Sequence, residues 1–339
     1  MPETGVIYAA TKLDRYVEEA FLSAQSVKRF APNLSITLFT DRPAHPLCAL
    51  GLFDRIETIA AVTGFDSAWA EGQLGRIDCL SRSPYRRTLQ LDTDTRVQST
   101  DLEAVFDQLG ASEIAMVEEA ADVSLSRART GRRMFNVGFI LYRMTPGVVR
   151  CLDAWATRVR RNFGFALQTP LPFVEELSHV SDEDERRGLL RMDQVALMEV
   201  LSPERNEFDL SCTQLGSAWN YRGSALAYCQ PDQVKIAHSD AFKKTTHADI
   251  LALAFDSEAR DPKLSDKLYE YVASRQPHRA AKPPSRALCA GSKRRRHRRR
   301  RGARHLTATP IFTCATDKAT RRCTFTALSW PPTPTTRSP

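Results

Sequence analysis

The chain has 339 residues, of which 42% are hydrophobic, the proportion of an ordinary globular protein with one large domain or two small ones. Its net charge of +8 comes from the C-terminal segment: 16 of the 48 basic residues but only 1 of the 40 acidic residues follow position 276, so residues 1–276 carry a net charge of −7. No segment approaches the roughly 20 apolar residues of a membrane-spanning helix, and the eight cysteines show no metal-binding or disulfide spacing. We therefore expect a cytoplasmic protein without a secretory signal.

The first sixty residues predict a β-α-β unit. Residues 6–10 and 35–40 are apolar runs that are typical of strands, and residues 55–59 predict a third strand. Between the first two runs Asp14 is a candidate helix cap. The apolar residues that follow it recur at helical spacing: Val17, Ala20, Phe21, Ala24 and Val27. This order favours a parallel sheet.

Two carboxylates, Asp92 and Asp94, directly follow a short apolar strand predicted at residues 88–91, which a predicted helix at residues 72–83 precedes. Because ligands of α/β sheets bind beyond the carboxyl ends of the strands, we expect both acids at a ligand site. Two carboxylates at this spacing can hold one divalent cation, which can in turn hold substrate phosphates. An Asp-rich turn without a ligand accounts for the same two residues.

A second strand of functional interest is predicted at residues 134–142, because it opens with Asn136 and Gly138. Glycine inside a strand indicates a close approach by another group or a β-bulge, and both interpretations stay open. Before it come a strand predicted at residues 114–117, which ends in two glutamates, and a polar segment at residues 122–133 that we expect to form a mobile loop.

Helices and irregular segments dominate the predicted structure of the rest of the body. We predict a short helix capped by Asp101, a long helix at residues 146–161 and a terminal helix at residues 263–274. Residues 163–180 are proline-rich and predict an irregular segment that lines the acceptor site, and residues 181–187 predict the solvent-exposed start of a helix. Asp193 and Gln194 open a further amphipathic segment. Residues 234–238 predict the last strand, which ends in His238.

The run at residues 83–95, with its Asp-x-Asp, resembles the signature of the GT-A-fold glycosyltransferases, which use nucleotide-sugar donors. The resemblance is closest to the retaining family that includes glycogenin and bacterial galactosyl- and glucosyltransferases, and it covers roughly residues 5–245. Its other elements are Phe-Asn-x-Gly at 135–138, Asp-Gln at 193–194, Trp-Asn at 219–220 and the histidine at 238. It implies an α/β fold with a single GT-A (Rossmann-like) domain, residues 1–276, in which helices flank a mixed, mostly parallel central sheet.

The resemblance also implies a role for each candidate residue. It implies a divalent metal bound by Asp92, Asp94 and His238, either Mn²⁺ or Mg²⁺, with Mn²⁺ favoured because imidazole is a softer ligand. The implied donor is a nucleoside-diphosphate sugar, with a UDP-sugar favoured, and the acceptor is a saccharide, lipid or protein hydroxyl. The residues implied in donor nucleotide and diphosphate binding are Ala10, Thr11, Arg76, Asp92 and Lys243, with Lys244 as the alternative to Lys243. Those implied beside the transferred sugar are Asn136, Gly138, Asp193 and Gln194.

Ordinary structural roles account for several of these residues equally well. Ala10 and Thr11 lie in a loop that every such sheet contains, Arg76 is a candidate surface arginine, and a histidine that ends an apolar strand is often structural. Two other functional classes also stay open. A nucleotidyltransferase should have a glycine-rich loop after its first strand, and residues 9–13 contain no glycine. A non-catalytic binding protein would act through its tail.

The tail, residues 277–339, is rich in proline, arginine and threonine and is almost continuously basic at residues 293–301. Because it has little with which to build a core, we expect it to be disordered. Such a basic run is typical of nucleic-acid binding, but it suits anionic lipid headgroups equally well, which would place the protein peripherally at a membrane. An accidental extension of the reading frame is a third interpretation.

Overall fold

The computed structural model describes residues 2–65, 68–119, 134–201, 207–222 and 231–275. Every described residue belongs to one compact unit, Met1–Pro283. The predicted tail and the loop predicted at residues 122–133 lie outside the described residues. Within the described parts, no helix combines the length and the apolar character needed to cross a membrane.

A seven-stranded sheet forms the centre of the fold. Its strands are β1 (Thr4–Ala10), β2 (Ser35–Thr40), β3 (Arg55–Thr58), β4 (Arg87–Leu91), β6 (Ile114–Glu118), β7 (Phe135–Arg143) and β8 (Cys212–Leu215), and their order in space is β3-β2-β1-β4-β7-β6-β8. Strands β3, β2, β1 and β4 pair in parallel, as do β6 and β8, whereas β7 pairs antiparallel with both of its neighbours. The predicted mixed, mostly parallel sheet is confirmed.

Helices cover both faces of the sheet. They are α1 (Asp14–Phe30), α2 (Ala68–Leu80), α3 (Pro146–Ala166), α4 (Glu183–Leu190), α5 (Asp193–Leu201), α6 (Asp240–Ser257) and α7 (Pro262–Arg275). One face packs against α1, α6 and α7, and the other against α2, α3 and α5. Side chains alternate along β1, so Val6 and Tyr8 are buried on the face covered by α1, α6 and α7, whereas Ile7 is buried on the opposite face. Burying each such side chain contributes about 1.5–3 kcal/mol, which holds the strand ends in fixed positions.

The predicted β-α-β unit is present, since α1 connects β1 to β2 and these strands pair in parallel. The predicted helix cap is wrong. The N-cap residue is Leu13, which makes no side-chain capping hydrogen bond, and Asp14 already lies inside the helix. The carboxylate of Asp14 instead accepts hydrogen bonds from Arg42 and Arg275. Ion pairing with two guanidinium groups therefore takes the place of capping.

Three other helix predictions change in detail. The helix predicted at residues 72–83 begins and ends earlier, as α2. The segment predicted to be irregular from residue 163 begins with the last turn of α3, which ends at Ala166. It also includes the short 3-10 helix Glu175–Leu177. The capping residue of the 3-10 helix Thr100–Leu109 is Ser99, whose hydroxyl accepts from the N–H of Asp101. Ser99 has the extended backbone of an N-cap, whereas Asp101 is already helical.

A second, two-stranded antiparallel sheet consists of β5 (Thr95–Val97) and β9 (Ile236–His238). The strand predicted at residues 234–238 is therefore shorter than expected and does not belong to the main sheet. The hydroxyl of Ser26 in α1 accepts a hydrogen bond from Val97 N at 2.9 Å, which attaches the small sheet to the first helix. Because β5 begins directly after Asp94, this sheet determines what lies next to the paired carboxylates.

Candidate metal centre

Asp92 and Asp94 lie in the turn that follows β4. Residues 88–91 are buried, and Asp92 N–H extends their pairing with β7 by donating to Gly138 O at 2.9 Å. Within the turn, the hydroxyl of Thr95 donates to Asp92 O at 2.8 Å. The apolar strand therefore places both carboxylates at its carboxyl end, where parallel strands of the sheet also end.

The small sheet brings His238 to the two acids. Thr95, the residue after Asp94, is directly opposite His238 in the β5–β9 register. Ser239 N–H donates to Asp94 O at 3.1 Å. His238 Nε2 lies 3.3 Å from Asp94 Oδ1 and 3.9 Å from Asp92 Oδ2. Backbone pairing thus joins two segments that are far apart in the sequence.

These three side chains form a donor set that fits a divalent metal ion. One ligand atom from each lies within 4.8 Å of the other two. Asp94 and His238 are 4% and 6% exposed, whereas Asp92 is only partly buried and leaves one side of the site accessible to a ligand. Carboxylates suit Mg²⁺ and Mn²⁺, and the imidazole favours the softer ion, Mn²⁺.

Each carboxylate of the donor set also has a cationic partner. Arg76 of α2 donates to Asp92 and to Asp193, and so connects these two acids. Lys243 Nζ of α6 lies 2.9 Å from Asp94 Oδ2 and 2.7 Å from an oxygen of Asp240. Because α2 and α6 pack on opposite faces of the sheet, the two cations come to the centre from opposite faces.

The charges around Asp94 keep its carboxyl group ionised. Burial alone would raise its pKa, but His238 and Lys243 outweigh burial and hold that pKa well below its ordinary value. Burial likewise lowers the pKa of Lys243, but Asp94 and Asp240 reverse this and raise it above its ordinary value. Both groups are therefore charged at neutral pH, and an ionised carboxylate is the form that binds a metal.

Asp193 and Gln194 begin α5 beside this centre and are both buried. Burial raises the pKa of Asp193 above its ordinary value, while Arg76 acts in the opposite direction. The indole of Trp155 donates to Asp193 O at 2.8 Å, and Gln73 Oε1 accepts from Asp193 N at 3.2 Å. Contacts with α2 and α3 thus hold the start of α5 in place. A role beside the transferred sugar stays a prediction for both residues.

Buried hydrogen bonds link Gln194 to His238 through three other side chains. Gln194 Nε2 and Asn136 Nδ2 both donate to Glu119 Oε2, each at 2.7 Å. Asn136 Oδ1 accepts from Asn220 Nδ2 at 2.7 Å. Asn220 Oδ1 lies 2.9 Å from His238 Nδ1. The motifs predicted separately at residues 135–138, 193–194 and 219–220 are therefore parts of one polar network that ends at the metal centre.

This network determines which ring nitrogen of His238 is directed at the carboxylates and is available to bind a metal. The backbone N–H of Gly138 donates at 2.9 Å to the side chain of Asn136, so the atom there is the amide oxygen. Asn220 must then direct its nitrogen to Asn136 and its oxygen to His238. With a metal ion bound, the imidazole would be neutral, with Nδ1–H donating to that oxygen and Nε2 directed at the ion without a proton. A cation between Nε2 and the carboxylates stabilises an arrangement of this kind.

The space beside Gly138 is filled by His238. A Cβ atom at Gly138 would lie 2.3 Å from Cε1 and 2.6 Å from Nδ1 of the imidazole. The β6–β7 register also shifts here, between the pairs Met116↔Ile140 and Val117↔Asn136. Gly138 therefore combines the two predicted features, a β-bulge and a close approach. The approaching group is a side chain of the protein, and a contact with donor sugar stays a prediction.

Replacing Gly138 with alanine is expected to displace His238 and to weaken Mn²⁺ binding by at least about tenfold. The free energy of unfolding should fall by about 1–3 kcal/mol, the usual result of overpacking. Electron paramagnetic resonance (EPR) titration of Mn²⁺ and urea unfolding measure the two effects. Gly164→Ala in α3 is the matched control, because no atom lies within 4 Å of its new Cβ. Wild-type affinity in Gly138→Ala would contradict a ligand role for His238.

Ala10 and Thr11, the predicted base contacts, lie at the carboxyl end of β1, next to β4 in the sheet. Thr11 is buried, and its side chain packs so closely on α2 that a Cβ at Gly75 would lie 3.2 Å from Thr11 Oγ1. The next residue of α2 is Arg76. This packing connects the end of β1 with the metal centre, while contact with a nucleotide base stays a prediction.

The sequence prediction missed Glu119, which holds both Asn136 and Gln194. Its signal is the same as that of Asp92, an acid at the end of an apolar strand. β6 runs in the same direction as β4, because each pairs antiparallel with β7. Glu119 therefore lies at the same edge of the sheet as the paired carboxylates.

The fold and the site together define an α/β protein with a carboxylate–imidazole donor set, of a kind that fits a divalent metal ion, at the carboxyl edge of a mixed sheet. No family model and no curated protein matches the chain. Solved structures that are similar to it include the galactosyltransferase LgtC in complex with donor and acceptor sugar analogs, with a TM-score of 0.45 and 16% identity over 80% of this chain and 95% of that one. The bifunctional glycosyltransferase WbbM has a TM-score of 0.44 and 12% identity over 80% of this chain and 52% of that one. The glycosyltransferase GlyE of Streptococcus pneumoniae TIGR4 has a TM-score of 0.43 and 13% identity over 81% and 64%.

All three structures are glycosyltransferases, the class that the sequence motifs resemble. Identities of 12–16% and TM-scores of 0.43–0.45 establish neither membership of a family nor an activity for this chain. The residues of the site itself must therefore indicate what the protein does.

Proposed function

We propose that the protein is a metal-dependent glycosyltransferase that moves a sugar from a nucleoside-diphosphate sugar to an acceptor hydroxyl. The observation that carries this proposal is the convergence of Asp92, Asp94 and His238 within 4.8 Å at the carboxyl edge of the sheet. Arg76 and Lys243 lie against the carboxylates. A site for a metal-bound diphosphate needs oxygen ligands for the metal and cations for the remaining phosphate charge, and this arrangement offers both.

A divalent ion held there would act as a Lewis acid and stabilise negative charge on the departing diphosphate. Arg76 and Lys243 supply fixed positive charge beside it. Each keeps a second carboxylate partner, Asp193 for the arginine and Asp240 for the lysine, when its first partner binds a metal. The cations are thereby oriented in advance, which is the condition under which electrostatic stabilisation is most effective.

The start of α5 provides groups for the sugar end of the donor in this proposal. Gln194 Nε2 donates to Glu119 at 2.7 Å and to Phe135 O at 3.1 Å, so both of its N–H groups are used. Its oxygen is then the atom that would stabilise positive charge at the anomeric carbon, together with the carboxylate of Asp193. We propose retention of configuration, with the departing phosphate taking the proton of the acceptor hydroxyl, and contacts from Asn136 and Gly138 to the sugar.

The nucleotide end of the donor is proposed to lie at the end of β1, against Ala10 and Thr11, with UDP as the favoured nucleotide. Thr11 packs against Gly75 of α2, the residue before Arg76. This contact supports the placement, because it puts the end of β1 beside the helix that carries Arg76. The resemblance of the sequence to enzymes that use nucleotide sugars agrees with it.

Incubation of the full-length protein with a panel of nucleoside-diphosphate sugars tests the proposal directly. In the absence of an acceptor, at least one of the sugars should release its nucleoside diphosphate to water at least about tenfold faster with Mn²⁺ than with EDTA, because the metal stabilises the leaving group. Thermal shift with Mn²⁺ and nucleotide measures binding independently. Synthesis of a nucleotide sugar from a sugar phosphate and a nucleoside triphosphate would identify a nucleotidyltransferase instead. Absence of both activities and of Mn²⁺-dependent nucleotide binding would contradict enzymatic function.

A further inference from the structure

Helix α1 holds the turn between the two candidate carboxylate ligands. Thr93, the residue between Asp92 and Asp94, donates its hydroxyl hydrogen to Glu19 Oε2 at 2.9 Å. Glu19 lies in α1 and is 0% exposed. Complete burial of a carboxylate is unfavourable unless hydrogen bonds or charges compensate for it. The position of Glu19 therefore requires a physical reason.

Interactions within α1 do not supply that reason. Glu19 Oε1 makes no hydrogen bond with any other described residue. Its ion-pair partner in the same helix, Arg15, lies 3.8 Å away and has a half-exposed side chain, which makes the interaction weak. Burial raises the pKa of Glu19, while the hydrogen bond from Thr93 acts in the opposite direction. Of these two partners, Thr93 in the turn is therefore the nearer to the carboxylate of Glu19, at 2.9 Å against 3.8 Å for Arg15.

The same turn residue is held at its backbone by a buried arginine. Arg96 Nη1 donates to Thr95 O at 2.7 Å and to Thr93 O at 3.4 Å. Its guanidinium group stacks on Phe242 of α6, 4.8 Å from the ring centroid. Thr93 is therefore fixed at its hydroxyl by Glu19 and at its carbonyl by Arg96. The residue that separates the two carboxylates has little freedom to move.

We infer that Glu19 is a positioning residue of the metal centre, which holds Thr93 and thereby sets the relative geometry of Asp92 and Asp94. This inference rests on the proposed function, in which both carboxylates bind the metal. Groups that orient metal ligands typically contribute about 10–100-fold to metal affinity. Glu19 acts through the residue between the ligands and not on a ligand itself, so we expect an effect near the lower limit, about tenfold.

Substitutions of the two partners separate the hydrogen bond from the shape and charge of the site. Thr93→Val keeps the shape and removes the hydroxyl, and Glu19→Ala removes the acceptor; each should weaken Mn²⁺ binding by about tenfold. Thr93→Ser restores the hydroxyl and Glu19→Gln keeps an acceptor, so both should bind within about twofold of wild type. Combining Glu19→Ala with Thr93→Val should weaken binding no further than either alone, because both remove the same interaction.

A matched control exists one residue earlier in the same helix. The carboxylate of Glu18 is also buried and accepts a hydrogen bond from the hydroxyl of Tyr271, but this pair connects α1 with α7 and not with the turn. Tyr271→Phe should lower the midpoint of thermal unfolding and leave Mn²⁺ affinity unchanged. It separates a general loosening of α1 from a specific effect on the metal centre.

EPR titration of Mn²⁺ with the full-length protein measures the free ion and hence the affinity of each variant. If the wild type binds Mn²⁺ and Asp94→Asn abolishes that binding, wild-type affinity in Thr93→Val overturns the positioning role alone. Absence of Mn²⁺ binding by the wild type overturns the metal centre itself, which is a distinguishable result. Equal weakening in Thr93→Val and Tyr271→Phe would also overturn the inference, since it would show a general structural effect. Should Glu19→Ala fail to fold, the comparison of Thr93→Val with Thr93→Ser decides the question.

Discussion

Asp94→Asn is expected to lower metal-dependent release of nucleoside diphosphate by roughly 10³-fold, which corresponds to about 4 kcal/mol in transition-state free energy. Asparagine keeps the shape of the side chain and removes the negative charge. In the protein that charge lies against His238 and Lys243 and is buried, and these two groups keep it ionised. The loss should therefore fall on metal binding and on the chemistry that depends on it. Lys243 keeps Asp240 as its partner, so the fold should persist.

Asp240→Asn is the matched control for this experiment. Asp240 contacts the same lysine at 2.7 Å, but its side chain is 70% exposed and it does not belong to the donor set. Its substitution should change turnover by less than about threefold, since asparagine keeps an oxygen that accepts from Lys243 and exposed ion pairs contribute little. Release rates at saturating Mn²⁺ and circular dichroism spectra of both variants give the comparison. Near-wild-type turnover in Asp94→Asn would exclude Asp94 as a metal ligand.

His238→Ala is expected to weaken Mn²⁺ binding by about 100-fold, because removing a ligand should cost at least as much as removing a group that orients one. Asn220→Ala should weaken it by about tenfold, since the imidazole then loses the acceptor that directs Nε2 at the carboxylates. A larger loss of Mn²⁺ affinity in His238→Ala than in Asn220→Ala is expected if His238 is a ligand that Asn220 orients. A histidine that only packs in the core predicts no loss of affinity in either variant. EPR titration measures the affinities, and thermal unfolding reports any change in stability.

His247→Ala serves as the control for loss of an imidazole. His247 lies in α6 one turn after Lys243, and its ring contacts Glu18 of α1 at 3.6 Å. Its substitution should leave the Mn²⁺ affinity within about twofold of wild type, because it does not belong to the donor set. A His238→Ala variant that loses thermal stability but binds Mn²⁺ as the wild type does would establish a purely structural histidine.

Local sequence patterns were sufficient to predict most strands and helices before residue 201 and the position of the paired carboxylates, but they missed β5, β8 and α6. The apolar run of β1, the helical spacing in α1 and the short apolar run of β4 depend on neighbours within a few residues. Asp92 and Asp94 follow β4 directly, so predicting the strand also predicts which edge of the sheet they occupy. Helix ends were less predictable. Asp14 is a suitable capping residue by type, but a contact with distant arginines determines its actual role.

The partners of the carboxylates, in contrast, depend on tertiary structure. His238 reaches Asp94 because β5 and β9 pair in one register, and a shift by one residue would direct its side chain to the other face. Glu119 becomes part of the site because β6 and β4 run in the same direction, although neither segment indicates this by itself. Arg76 joins Asp92 to Asp193 only because the fold brings α2 within reach of both segments that carry them.

Gly138 and Glu19 show most clearly which properties the sequence indicates and which depend on the tertiary structure. The sequence indicates that something approaches Gly138, and only the folded chain shows that the group is the imidazole of His238. Nothing in the sequence around Glu19 distinguishes it from Glu18, yet one contacts the turn between the carboxylates and the other contacts α7. Residues next to each other in a helix point about 100° apart, so the packing of that helix determines which of the two faces the metal centre.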